Sequence, residues 1–232
     1  MIIISKKTIY YILIFLILLL ALRLGLNIFL KTKEVINMEP YYQGDKDEDI
    51  ISIACNIDWG NEYIDDILRI LKEKDVLINF FPTGRWASEN KEILKNIHKN
   101  QHEVGSHGFQ HLDYDKLNYN SNYEEIRKAH ETITSIIGEE IEFFAPPSGA
   151  FNKYTLEAAK EFNYKTILWS IDTIDWRQYS TSSIIFDRVK EKLHKSGIIL
   201  IHPTEETVKA LGDIINYIES KGYRIVKLSE LL

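Results

Sequence analysis

A single cysteine in 232 residues excludes an intramolecular disulfide and any zinc site built from several thiolates. That residue, Cys55, lies in the apolar run Ile51-Ser52-Ile53-Ala54-Cys55 and is expected in the core. A surplus of basic charge is also missing. The chain has 28 Lys and Arg against 34 Asp and Glu, a net charge of -6, which argues against a nucleic-acid partner. No internal repeat or low-complexity tract interrupts it. A small-x-small cleavage site is absent too, because Ala21-Leu22-Arg23 follows the first long apolar run. That run is therefore expected to stay attached.

What is present begins with the same segment. Ile9 to Leu22 is unbroken apolar and aromatic sequence, and the apolar character continues past Arg23 to Leu30. Roughly 20 such residues span a bilayer core, and a long Arg side chain near the end can reach the interface. Residues 9–30 are thus expected to be a transmembrane signal anchor, and residues 1–8 a cytoplasmic tail. The polar stretch 31–49, with Pro40 and Gly44, reads as a linker. Flanking lysines are balanced (Lys6 and Lys7 before, Lys31 and Lys33 after), while the acidic stretch Asp45 to Asp49 tilts the domain toward the extracytoplasmic side of a cell membrane that the chain crosses once.

From Ile50 on, short apolar runs alternate with amphipathic stretches. Strands are expected at 50–57, 76–81, around Val104, 143–144, 166–170, 198–201 and 224–226. Helices are expected at 62–74, 91–100, 123–137, 152–162, 182–195 and 206–221. This alternation predicts an α/β fold with parallel strands, a barrel with its site at the strands' C-terminal ends. The residues just after each apolar run are Asn56-Ile57-Asp58-Trp59-Gly60, Ser106-His107-Gly108-Phe109-Gln110-His111, Ala145-Pro146-Pro147-Ser148-Gly149, Asp172-Thr173-Ile174-Asp175-Trp176 and His202-Pro203-Thr204. His107 and His111 are spaced to converge on one divalent ion, with a carboxylate as third ligand. Two surface histidines in a polar loop would be the plainer explanation of an isolated pair. Here the pair follows a strand among other polar strand ends, which favours ligands. His102 precedes its strand and is expected to be structural.

The ordered motifs N-I-D-W-G, S-H-G-F-Q-H, F-A-P-P-S-G, S-I-D-T-I-D-W and L-I-H-P-T resemble those of the polysaccharide deacetylases, carbohydrate esterase family 4, over about residues 50–232. Trp59-Gly60-Asn61-Glu62 is similar to the sporulation-associated branch. The resemblance implies a distorted (β/α) barrel of the NodB type with fewer than eight units. It also implies hydrolysis of the N-acetyl amide of cell-wall polysaccharide, peptidoglycan or chitin-like. A zinc ion, held by an Asp and two His, would polarise the amide and acidify a bound water. It further implies that His202 protonates the leaving amine, that Asp172 orients His202, and that Trp59, Asp175 and Trp176 contact substrate. Trp86 is a further residue able to stack on sugar, although core packing is as good a reading for any one Trp.

This chain departs from the family's first motif, in which a base Asp precedes a ligand Asp. In one register Asn56 takes the base position and Ile57 the ligand position. In the other, Asp58 is the base and Trp59 stands at the ligand position. Neither supplies both carboxylates. Ala145 replaces the Arg that keeps the base ionised. With Asp58 recruited as ligand or base, the site would be a working or impaired deacetylase. Without it, the chain would be a glycan-binding protein that keeps the groove and lacks the chemistry.

Overall fold

The computed structural model describes Lys7, residues 14–23 and residues 39–232. Within the expected anchor, residues 14–23 are helical and their large apolar side chains are exposed. Residues 9–13 and 24–30 of the anchor, most of the 1–8 tail and residues 31–38 of the linker lie outside the described residues. No described helix is long and apolar enough to cross a membrane.

The folded domain begins at Pro40, so the last part of the expected linker belongs to it. Tyr41 bridges in parallel to Ile167, and Gln43 bridges to Gly197. Numbering the domain's elements from its first strand, β1 (Ile50–Ile57), α1 (Asn61–Glu73), β2 (Asn79–Pro82), α2 (Gly84–Glu89), α3 (Lys91–Lys99), β3 (Glu103–Val104) and α4 (Tyr119–Ile137) form its first half. The second half holds β4 (Phe143–Phe144), α5 (Lys153–Glu161), β5 (Lys165–Thr166), β6 (Ile171–Asp172), α6 (Ser182–Lys192), β7 (Ile198–Ile201), α7 (Glu205–Ser220), β8 (Arg224–Ile225) and α8 (Leu228–Leu231).

Every pairing between these strands is parallel. The main sheet runs β3-β2-β1-β7-β6, with β8 also on β1, while β4 and β5 form a separate pair. A bridge from Ser106 to Phe144 links the end of β3 to β4. The result is the parallel α/β barrel expected from the alternation, distorted as the resemblance implies. All eight residues of β1 are buried, as a central parallel strand covered on both faces requires.

Period-two alternation along β1 sorts its side chains into two layers. Ile51, Ile53, Cys55 and Ile57 face the helices, where they pack with residues such as Ile64, Ile67 and Leu211. Ile50 and Ala54 face the barrel interior with Phe81, Phe143, Ile167, Leu228 and Leu231. Cys55 is fully buried, and burial raises its thiol pKa, consistent with an inert core residue. The buried Asn79 ties the interior together. Its amide donates to Ser52 Oγ (2.7 Å) and the Ile53 carbonyl (2.8 Å), and its oxygen accepts the Leu228 N–H (2.9 Å).

The expected strand at 166–170 is split. The Ile167 N–H makes the last bond to β4, at the Phe144 carbonyl (2.7 Å), and the Leu168 N–H then bonds to the Tyr41 carbonyl at 2.8 Å. Helix α4 starts earlier than expected because Asn118 caps it, accepting the Ser121 N–H. It ends at Gly138, φ 77°, as the glycine implied. The short α2 and α8 escaped the periodicity, since neither spans two full turns of amphipathic sequence.

Candidate active site

The inward register of β1 continues past its end. Asn56 and Asp58 therefore face the barrel mouth, whereas Ile57, fully buried among the helices, points away. This geometry excludes the register that put Asn56 and Ile57 at the base and ligand positions. The side chains found at the mouth, Asp58 and Trp59, are those of the other register, in which the resemblance reads them as base and ligand positions. Asp58 and Trp59 both line a cavity of about 330 Å³ together with Asn56, His107, His111, Trp176 and His202. Asp172, Leu200, Ser148 and Trp169 complete the wall.

The carboxylate of Asp58 is already engaged. It accepts the Thr83 hydroxyl at 2.7 Å and Arg85 Nη2 at 2.8 and 2.9 Å. Thr83 follows β2 and caps α2, and Arg85 lies in that helix's first turn. A guanidinium from α2 thus reaches the Asp58 carboxylate, in a chain that has Ala145 where the resemblance implies an arginine. Ala145 itself is buried in the interior cluster. Thr83 and Arg85 went unnoticed in the sequence because α2 was not expected, although they follow β2 much as the other site residues follow their strands.

His107 is buried, and its Nδ1 donates to the Ala145 carbonyl at 2.7 Å. That bond fixes the tautomer and leaves the Nε2 lone pair free. Burial, with the charge of nearby His111 second, lowers its pKa to about 3. The two rings meet edge to face with centroids 5.2 Å apart. His102 is structural, as expected: its Nδ1 accepts the Ile78 N–H at 3.2 Å, and burial lowers its pKa to about 4.

His202 is held by Asp175 and not by Asp172. Asp175 Oδ1 pairs with His202 Nδ1 at 2.7 Å. Oδ2 accepts the His202 N–H and the Thr207 hydroxyl, both at 2.6 Å. Asp172 is the last residue of β6, lines the cavity and caps the Ile174 N–H at 2.8 Å. The chain then turns through Ile174 at φ 52°, which brings Asp175, rather than Asp172, under the imidazole. Asp175 is buried and does not line the cavity, so the substrate contact expected of it is also corrected. Trp59 lies parallel to the His202 ring, interplanar angle 4° and centroid separation 6.2 Å. Trp59 and Trp176 are 45% and 50% exposed at the mouth, while Trp86 is buried with its Nε1 bonded to Asn61 Oδ1 at 2.6 Å. Trp86 is a core residue and no sugar platform.

Two predictions follow from buried groups here. The Asn56 oxygen is buried with no hydrogen-bond partner among the described residues, a state that costs about 1–3 kcal/mol. Asn56→Leu is expected to raise Tm by about 2–4 °C for each kcal/mol recovered, read by calorimetry. An unchanged or lower Tm would show that the oxygen is satisfied. Acid should act in the opposite direction. The unfolded chain protonates histidine near 6.5, whereas folded His102 and His107 resist until about 4 and about 3. The unfolded state therefore binds more protons below pH 6.5, and stability falls as pH drops from there toward 4. Each histidine contributes a slope of about 1.4 kcal/mol per pH unit. Urea midpoints measured between pH 7 and 4 check this, and a flat profile would contradict it.

A family profile described as polysaccharide deacetylase matches residues 43–167. The chain belongs to this family. Among the polysaccharide deacetylases and their kin, a Bacillus cereus peptidoglycan-N-acetylglucosamine deacetylase is 31% identical over 192 residues, covering 80% of this chain and 89% of that protein. YlxY of Bacillus subtilis, named as uncharacterized, is 38% identical over 199 residues, covering 86% of this chain. The chain spans only 62% of the length of YlxY. The crystal structure of BA3943, a CE4 family pseudoenzyme from Bacillus anthracis, superposes with a TM-score of 0.82 at 34% identity, covering 84% of this chain and 69% of that one. A mutant of that pseudoenzyme has restored enzymatic activity.

Polysaccharide deacetylases imply a bound metal, and the donors present here do not fit the expected set. His107 and His111 offer two imidazoles, but the carboxylate expected as third ligand, Asp58, is turned to Thr83 and Arg85. Trp59, which takes the ligand position in the register that reads Asp58 as base, has no metal-binding atom. Among the described residues no three His, Cys, Asp or Glu side chains are grouped to hold an ion.

Proposed function

We propose that this protein binds N-acetylated cell-wall polysaccharide in the deacetylase groove without hydrolysing it. The observation that carries this reading is Trp59, stacked on His202 where the family places a metal ligand. An exposed indole offers a flat face for the C–H groups of a sugar ring, a role that metal coordination would deny it. Trp176 supplies a second exposed ring on the same mouth. The chemistry left to the chain's own residues is binding and orientation. His202, fixed by Asp175, can hydrogen-bond a sugar hydroxyl. Peptidoglycan is the favoured polymer, since relatives named for it share this fold. On this reading the apolar run 9–30 anchors the domain on the outer face of the cell membrane, beside the wall.

The experiment offers zinc and N-acetylated chitooligosaccharide or peptidoglycan to the full chain and to His107→Ala. Acetate release and calorimetric binding are measured together. Binding by the wild-type chain, with no more acetate than the variant gives, supports the reading. Acetate release that His107→Ala abolishes would overturn it in favour of an impaired zinc-dependent deacetylase.

A further inference from the structure

The turn after β6 carries Trp176 of the mouth and, beside it, two side chains, Arg177 and Tyr179, that the site described above does not use. Trp176 and Tyr179 are 50% and 58% exposed, and Arg177 lies between them. The Arg177 guanidinium carbon is 4.7 Å from the centre of the Trp176 ring and 5.9 Å from that of Tyr179. Its Nη1 donates to Tyr179 Oη at 3.2 Å. No ion pair among the described residues uses Arg177, in a chain where acids outnumber bases by 34 to 28.

The turn that carries these groups is rigid and strained. Ile174, a β-branched residue, sits at φ 52°, which costs free energy and persists only where surrounding bonds hold it. Those bonds are present. Asp172 Oδ1 accepts the Ile174 N–H, and Ser180 Oγ donates to the Ile174 carbonyl at 2.6 Å. Arg188 donates to the Thr173 carbonyl and to Ser180 Oγ. Two large rings and a cation are thereby fixed in water, where their own packing gains little. Trp176 also lines the cavity, so the platform continues the groove.

We propose that Trp176, Arg177 and Tyr179 form a second glycan subsite, which binds the sugar next to the one in the cavity and recognises a carboxylate on it. This rests on the glycan-binding reading above. The exposed rings suit the apolar face of a pyranose. Stacking on Trp176 and the hydrogen bond to Tyr179 Oη pre-order the planar guanidinium, whose remaining N–H groups present a fork matched to a carboxylate. A neutral polymer would leave that fork unused.

The test compares two N-acetylated tetrasaccharides on the full chain by calorimetry. One is neutral chitotetraose, and the other alternates N-acetylglucosamine with N-acetylmuramic acid, which bears a lactyl carboxylate. The wild-type chain is expected to bind the second about tenfold more tightly, the gain of one charge-assisted pair. Arg177→Gln should abolish that preference and leave the neutral ligand's affinity within about twofold, since a solvated side chain outside the cavity is all that changes. Arg177→Lys should recover only part of it, because a point charge lacks the fork. Equal wild-type affinities, or an Arg177→Gln variant that weakens both ligands alike, would overturn the subsite and leave the glycan-binding reading intact. If neither tetrasaccharide binds the wild-type chain, both proposals fail together.

Discussion

Trp59→Asp is expected to give the full chain a zinc site and, with it, acetate release from N-acetylated glycan. The substitution puts a carboxylate at the family's ligand position, in the same cavity wall as His107 and His111. Two imidazoles and one carboxylate then make the set that binds zinc with positions left open. His107 is ready as a ligand, since its Nδ1 is held by the Ala145 carbonyl and burial keeps the ring neutral. Asp58 remains at the mouth, paired with Arg85. His202 remains fixed on Asp175. Loss of the indole should cost little stability, because Trp59 is 45% exposed. Calorimetry should show one zinc ion per chain, and acetate release should exceed the wild-type background by at least about 10²-fold, within the range a positioned catalytic group supplies. Adding His107→Ala should remove both signals. A folded Trp59→Asp variant that binds no zinc would show that the loop, and not only its missing carboxylate, has left the metal-binding geometry.

Gly60→Ala should be strongly damaging for a single-methyl change. Gly60 has φ 82°, and a Cβ there would lie 2.2 Å from the Pro203 carbonyl oxygen and 2.8 Å from Pro203 Cγ. The obstacle is backbone, so no rotamer change relieves it. Left-handed strain and overpacking together are expected to cost about 2–4 kcal/mol, a fall in Tm of roughly 5–15 °C. Gly60 also caps α1 and follows Trp59, while Pro203 follows His202. The clash therefore pushes apart the two loops that stack Trp59 on His202, and glycan affinity should fall along with Tm. Gly222→Ala serves as control. Its φ is 86°, but a Cβ there meets nothing within 4 Å, so only the backbone strain should register. Equal losses at the two positions would refute the steric account.

The strands and helices were legible where burial imposes a period. β1 is fully apolar apart from Ser52 and Asn56, and α1 repeats Ile64, Ile67, Leu68 and Leu71 at helical spacing. The clustering of His107, His111, Asp58, Trp59, Trp176 and His202 was legible too, because a parallel barrel gathers its strand ends at one mouth. Asp175 was assigned the wrong partner for a local reason. Asp172 and Asp175 are two carboxylates in the same short segment, and the turn through Ile174, which decides between them, leaves no residue signature at a β-branched position. Arg85 was missed because it pairs with Asp58 across 27 positions of sequence, from a helix too short to register as periodic.

By itself, then, the sequence determined the family, the parallel α/β barrel and the loss of one catalytic carboxylate, since these follow from residue identity and from period. Only the tertiary structure decided which side chains of the first motif reach the mouth. The pleat of β1 sends Ile57 to the helices and Asp58 to the mouth, and a shift of one residue would reverse both. It also decided that Asp58 is spent on Arg85 and Thr83, that Asp175 carries His202, and that Arg177, with no ion pair among the described residues, lies beside Trp176 and Tyr179. Each depends on where a side chain points across the fold, which packing fixes and local sequence does not.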